Sequence, residues 1–466
     1  MTSTLITGGL VVTAADEVAA DVLIEGGRVA AVVDRHSTVA ASLTADRTLD
    51  ATGLYVIPGG VDGHTHMDFP FGGTFSSDDF ETGTRAAAWG GTTTIVDFAV
   101  QTRGRALREG LDRWHAKADG RCAVDYAFHM ILSDVNDGTL REMDALVAEG
   151  VTSFKLFMAY PGVFYSDDGQ ILRAMQRTAG NGGLAMVHAE NGIAIDVLVE
   201  QALAAGRTDP RHHGEVRKAL LEAEATHRAI QLARVAGSPL YVVHVSAREA
   251  VEQLAAARAL DLPVFGETCP QYLYLSTDNL AEPDFGGAKY VCSTPLRPRE
   301  HQAALWRALR TDDLQVVSTD HCPFCFTGQK DLGRGDFSRI PNGMPGVEHR
   351  MDLLHQAVVD GHLTRRRWID LACATPARMF GLYPQKGTLA PGSDADVVLY
   401  DPHAEQTLSA ETHHMNVDYS AYEGRTVTGQ VVTVLSRGET VLDRRTWVGR
   451  AGHGRYVPRG VCQFLD

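Results

Sequence analysis

Short apolar runs alternate with longer amphipathic stretches through most of this chain. Thr92–Val100, Val124–Ile131, Thr152–Met158, Leu184–His188, Leu240–Val245 and Gln315–Thr319 are short and rich in β-branched and aliphatic residues. Each is expected as a buried strand. Between and after them, Ala106–Ala118, Leu140–Ala148, Glu215–Val235, His349–Val359 and Trp368–Phe380 carry helical character. This alternation across residues 55–387 predicts a parallel α/β fold, and a (β/α)8 barrel of the TIM type fits that span. A doubly wound open sheet is the alternative. Against it, no Gly-x-Gly-x-x-Gly follows the first strand. The residues with chemical potential also end many strands, which is how barrel enzymes build sites.

The two ends read differently. Leu5–Val12 and Ala20–Val32 suit strands with a Gly-Gly turn. Asp396–Tyr400 and Gln430–Leu435 are strand-like, with a turn at Ser436-Arg437-Gly438. Neither end holds enough strand for a stable sheet alone. Residues 1–54 and 388–440 are therefore expected to pair into one small β-sandwich domain beside a barrel of residues 55–387. Residues 441–466 are expected as a C-terminal tail that could contact a neighbouring subunit.

The length of 466 residues suits a large barrel plus a second module. Composition is ordinary for a globular protein, and the net charge of -15 argues against nucleic acid or an anionic membrane as partner. No apolar stretch reaches the length of a membrane span, and Met1-Thr2-Ser3-Thr4-Leu5 has no signal-peptide character. A cytoplasmic location is expected. Seven cysteines in a chain of this length fit reduced thiols rather than a disulfide framework. Cys322-Pro323-Phe324-Cys325 has no second C-x-x-C and is read as packing near a loop.

The chemistry starts at His64-Thr65-His66, which ends the apolar run Tyr55–Gly63. Residues i and i+2 of a strand share a face, so both imidazoles aim at one point. Lys155 lies inside an apolar run, and His188, His244 and Asp320 each end one. Any one of these has an ordinary reading: a hydrogen-bonded core histidine, a snorkelling lysine, an aspartate capping a turn. Six such residues on five apolar strands point instead to a metal, and imidazoles with a carboxylate suit zinc or a similar divalent ion. Lys155 is the unusual member. An ammonium repels metal ions, but burial beside cations lowers its pKa. The neutral amine can take up carbon dioxide to form a carbamate, an anion able to bridge two metals.

Six stretches carry a resemblance that runs over nearly the whole chain. They are Gly63-His64-Thr65-His66, Phe154-Lys155-Leu156-Phe157-Met158-Ala159-Tyr160, Val187-His188-Ala189-Glu190-Asn191, Val243-His244-Val245-Ser246, Ser318-Thr319-Asp320-His321-Cys322-Pro323-Phe324 and Ile340-Pro341-Asn342-Gly343-Met344-Pro345-Gly346-Val347-Glu348. Gly392-Ser393-Asp394-Ala395-Asp396-Val397-Val398 adds a return into the β-sandwich. The chain resembles the cyclic amidohydrolases of the amidohydrolase superfamily, the dihydropyrimidinases and D-hydantoinases.

The resemblance implies two Zn2+, with Mn2+ or Co2+ as substitutes. His64, His66 and Asp320 would hold one, His188 and His244 the other, and Lys155, as N6-carboxylysine, would bridge both. It implies Tyr160, Ser293 and Asn342 as substrate-binding residues, Asn342 through its backbone. It further implies hydrolysis of dihydropyrimidines or 5-substituted hydantoins to N-carbamoyl amino acids by attack of a zinc-bridging hydroxide. Asp320 would shuttle the proton and Tyr160 would donate to the oxyanion. Pyrimidine catabolism and a homotetramer, with a homodimer as the alternative, come with the same resemblance. Thr294 departs from it, proline being expected there. Phe69 is a second departure, and with Phe71, Phe164 and the Gly162–Asp168 loop it is a candidate pocket determinant. Allantoinase is the nearest rival. A non-catalytic dihydropyrimidinase-like assembly protein is the other, and the six filled ligand positions argue against it.

Overall fold

Eight short parallel strands follow one another in chain order in this computed structural model, which describes residues 3–465. They are β1 (Gly60–Thr65), β2 (Thr92–Val100), β3 (Asp125–Ile131), β4 (Ser153–Phe157), β5 (Leu184–His188), β6 (Leu240–Val242), β7 (Val264–Thr268) and β8 (Val316–Val317). Every residue in them is buried, as it must be where helices cover one face and side chains fill the other. A parallel bridge between Thr65 and His321, with the His66 N–H donating to the His321 carbonyl at 2.8 Å, ties β1 to the end of β8. The expected (β/α)8 barrel is therefore present. Its helices begin where the sequence supplies caps: Asp79 and Asp167 form capping boxes with Thr82 and Gln170, and Asn136 caps Asp137–Ala148.

The chain ends do pair. A ten-stranded, mostly antiparallel sheet joins strands from the first 58 residues to four from the C-terminal part. Tyr55–Pro58 is the seam, pairing with Val397–Tyr400 on one side and with Leu10–Val11 on the other. The apolar run Tyr55–Gly63 is thus two strands rather than one. Val56 packs in the core of the second sheet and Ile57 in that of the barrel. Gly59 makes the crossing, because a Cβ there would lie 2.0 Å from Thr93 Oγ1.

Other expected elements are shorter or broken. The stretch Glu215–Val235 divides into Arg211–Val216 and Ala219–Ala236, since Arg217 leaves the helix and turns inward to Glu190. Trp368–Phe380 becomes Arg365–Ile369, a wide turn at Asp370–Ala374, and Thr375–Met379. Pro376 has no N–H for the Ala372 carbonyl. The buried Arg350 guanidinium donates to it instead at 3.2 Å, and also to the carbonyls of Val61 and Val317, each at 3.1 Å. The strand β7 was not anticipated, because Gly266 and Glu267 interrupt its apolar character.

The last residues lie against their own barrel. The Val457 N–H donates to the Tyr126 carbonyl at 2.8 Å, and the buried Arg459 guanidinium donates to the Phe128 carbonyl at 2.6 Å and to Ser153 Oγ at 2.7 Å. No disulfide forms among the described residues, and the C-x-x-C pair is not bonded.

Arg350 is the most exacting of the buried charges, with Asp62 3.8 Å from its Nε. Arg350→Met should lower the free energy of unfolding by about 3–5 kcal/mol, as expected when one partner of a buried pair is removed. Urea unfolding checks this, and a loss under about 1 kcal/mol would mean that Asp62 and the three carbonyls are satisfied some other way.

Candidate metal centre

The strand period brings His64 and His66 to the C-terminal mouth of the barrel, as expected. His64 Nε2 lies 2.8 Å from Lys155 Nζ and 3.1 Å from Asp320 Oδ1. His66 Nε2 lies 3.3 Å from the same Asp320 oxygen. His188 Nδ1 sits 3.0 Å from His244 Nε2, and the His244 ring centroid lies 5.4 Å from that of His64. All six side chains are buried. Donor atoms of His64, His244 and Asp320 all fall within 4.8 Å of one another.

Carboxylates stand behind two of the imidazoles. Glu267 contacts His64 Nδ1, accepts the Tyr241 hydroxyl at 2.8 Å and takes the His244 N–H at 3.2 Å. Glu190 accepts from His188 Nε2 at 2.9 Å and from Arg217 at 2.6 Å. With those nitrogens engaged outward, the ring atoms facing the centre, His64 Nε2 and His188 Nδ1, keep their lone pairs. That is the usual arrangement around a metal-bound histidine. Burial holds all four imidazoles below their ordinary pKa, so they are neutral and able to coordinate. Burial also pulls the Lys155 ammonium down, against the opposing pull of Asp320 and Glu267. Glu267 itself is pushed up by burial. Burial is the largest single influence on Glu190 and works to raise it, but the Arg217 guanidinium, the His188 contact and Arg297 together outweigh it and bring it to about 2. His66 Nδ1 and His244 Nδ1 have no hydrogen-bond partner among the described residues. This buried cluster of neutral imidazoles, a weakened ammonium and a carboxylate fits a divalent metal centre.

The mouth of the barrel is held in costly geometry. Tyr160, His244 and Asp320 have φ of 63°, 40° and 51°. Left-handed backbone at such residues costs about 1–3 kcal/mol each and persists only where neighbours over-determine it. Those neighbours are visible. Thr294 Oγ1 donates to the His244 carbonyl at 2.9 Å, a bond that proline at this position would lack. Asp62 accepts from the His64 N–H at 3.2 Å and from Thr319 Oγ1 at 2.6 Å. Asp97 accepts from Thr65 Oγ1 at 2.9 Å and from the Met67 N–H at 2.8 Å.

A small cavity of about 40 Å³ opens over the cluster. Phe69, Phe71, Phe157 and Phe164 wall it, and Tyr160, Ser293 and Asn342 supply polar groups. Asn342 Nδ2 donates to Ser293 Oγ at 3.1 Å and lies 3.4 Å from the Tyr160 hydroxyl, so these three residues meet despite their distance in sequence. Burial raises the Tyr160 phenol, keeping it an O–H donor at neutral pH. The hairpin Pro70–Phe71/Thr74–Phe75 carries Phe71 over the opening.

Sequence reasoning brought out the six central residues but not the layer behind them. Glu267 lay on the missed strand. Asp97 shows the same signal as Lys155, a charge inside an apolar run. Asp62 and Glu190 stand two residues from His64 and His188, a spacing that could have found them.

Comparison with known proteins agrees with this geometry. Residues 55–441 match the model of the amidohydrolase family. A D-hydantoinase of Streptomyces coelicolor is 78% identical over 99% of both chains. A D-hydantoinase of Geobacillus stearothermophilus is 50% identical over 98% of this chain and 96% of its own. A crystal structure of a dihydropyrimidinase from Brevibacillus agri superposes with a TM-score of 0.96 at 50% identity, covering 98% of this chain and 99% of that one. A barrel with histidines and an aspartate converging at its mouth, and relatives matched along their full length, together place this chain in the amidohydrolase family.

Proposed function

We propose that this protein hydrolyses the cyclic amide bond of 5-substituted hydantoins and dihydropyrimidines, giving N-carbamoyl amino acids. One observation carries the reading: the donors of His64, His66, Asp320, His188 and His244 surround Lys155 at the floor of an aromatic-walled cavity. The full-length likeness to D-hydantoinases supports the substrate class.

His64, His66 and Asp320 would hold one metal, His188 and His244 the second, and Lys155, carboxylated on Nζ, would join them. Zinc suits the donor set, with manganese or cobalt as replacements. Bound there, the metals polarise a carbonyl and make water nucleophilic near neutral pH. The chain's own residues do the rest. Asp320 takes the proton of the attacking water and returns it to the departing ring nitrogen. The Tyr160 hydroxyl donates to the oxygen that gains charge. Ser293 and the backbone at Asn342 hold the ring's remaining polar groups, and the phenylalanine wall receives the 5-substituent. The pairing of Tyr55–Pro58 with the C-terminal strands supports a domain division at Gly59, a few residues beyond the expected 54/55 boundary. No described helix is long and apolar enough to cross a membrane. A cytoplasmic homotetramer acting on small molecules completes the proposal.

The zinc-loaded protein should open a 5-substituted hydantoin and dihydrouracil, and leave allantoin untouched, when the three are compared by product formation. Turnover of allantoin alone would refute the substrate class. Lys155→Ala should lose bound metal, read by elemental analysis, and lower the rate by more than about 100-fold, the upper range for an outer-shell partner. Retention of both metals at full rate would rule out a bridging lysine. Tyr160→Phe should reduce kcat about 100- to 1000-fold with metal content unchanged; a near-normal kcat would remove Tyr160 from the chemistry.

A further inference from the structure

Lys330 has no part in the mechanism above, yet its side chain is fully buried beside the cavity. It begins a short helical turn, Lys330–Gly333, in the excursion between Asp320 and Asn342. Its Nζ lies 2.8 Å from the carbonyl oxygen of Val291, 2.7 Å from that of Pro341 and 2.7 Å from that of Gly343. An ammonium has three protons, and each has its own acceptor. These carbonyls offset its desolvation only in part, since burial still brings it down to about 7.

The acceptors belong to two segments that meet at the cavity. Val291 precedes Ser293 by two residues, and Pro341 and Gly343 flank Asn342. The same segments touch twice more, through the Gly343 N–H on the Val291 carbonyl at 3.0 Å and Asn342 Nδ2 on Ser293 Oγ. Gly343 is pressed against the loop after Asp320. Its φ is 155°, and a Cβ there would lie 2.2 Å from the Cys322 carbonyl oxygen. The Asn342 segment is thus packed closely against that loop, and Lys330 adds a third link between it and the Ser293 segment.

We propose that Lys330 is a positioning residue, whose ammonium sets the separation of the Ser293 and Asn342 segments and thereby how tightly the ring is bound, without touching the metal donors. This rests on the reading of those segments as the ring-binding edge.

Lys330→Met removes all three donors at similar length. With metal content measured on the same samples, KM for a 5-substituted hydantoin should rise about tenfold or more while kcat changes by less than about threefold, the pattern of lost ground-state binding. Amide hydrogen exchange should quicken in residues 290–296 and 340–346 and stay unchanged in residues 62–68 and 240–246. Unchanged exchange in the first two segments overturns the proposal whatever the kinetics show. So does a parallel fall of kcat/KM and metal content with exchange quickened throughout, since that describes a merely structural lysine. If the parent protein opens no cyclic amide, the substrate reading fails, and exchange still decides whether Lys330 joins the segments. Should Lys330→Met fail to fold, Lys330→Gln keeps two N–H donors and should show a smaller change of the same kind; parent-like exchange and KM in that variant would reject the idea.

Discussion

Five basic side chains and one carboxylate crowd the C-terminal mouth of this barrel with almost no access to water. Such a cluster is unfavourable on two counts: each group loses its hydration, and the cations repel one another. Burial resolves much of this by holding the imidazoles neutral and weakening the ammonium. A cluster of neutral imidazoles and a carboxylate held this close suits a divalent ion, whose binding would relieve the crowding.

The surrounding structure reads as support for that arrangement. Glu267 and Glu190 orient imidazoles from behind, while Asp62 and Asp97 hold the backbone on either side of His64 and His66. Glu190 is in turn held by Arg217, the residue that leaves its helix to reach inward. Arg297, bonded to Glu222 at 2.7 Å and to Ser246 Oγ at 3.0 Å, braces the segment beyond His244. Polar groups buried in this number are tolerable only when each finds its partners, and here most of them do.

The second sheet is joined to the barrel by the same means. Lys386 Nζ reaches Asp125 at 2.5 Å on β3 and Asp396 at 2.8 Å at the start of a sheet strand, and Arg437 pairs with Asp125 as well. Buried pairs of this kind contribute little net stability against an apolar alternative. They match charges of the sheet to charges of the barrel, and a different docking would leave those charges unpaired. Gly59 permits the chain to cross between the two cores within one residue.

The fold class and the metal cluster were legible in the chain. Short buried strands differ from amphipathic helices in period and length, and a charged residue inside or at the end of an apolar run stands out against that background. The pairing of the two ends was legible as well, since neither had enough strand to stand alone. Strand β7 was hidden because Gly266 and Glu267 look polar in isolation, and Glu267 is buried only because His64, Tyr241 and the His244 N–H come from other strands to meet it. The splitting of Tyr55–Gly63 between two sheets, the escape of Arg217 from its helix and the grip of Lys330 on two distant segments share that origin. The sequence by itself determined which residues are apolar, which are able to bind metal, and the order in which strands and helices arise, since these are local properties of composition and period. Only the tertiary structure decided which buried charges meet, because a partner for a desolvated group is chosen by proximity in space, and proximity between strands far apart in the chain has no local signature.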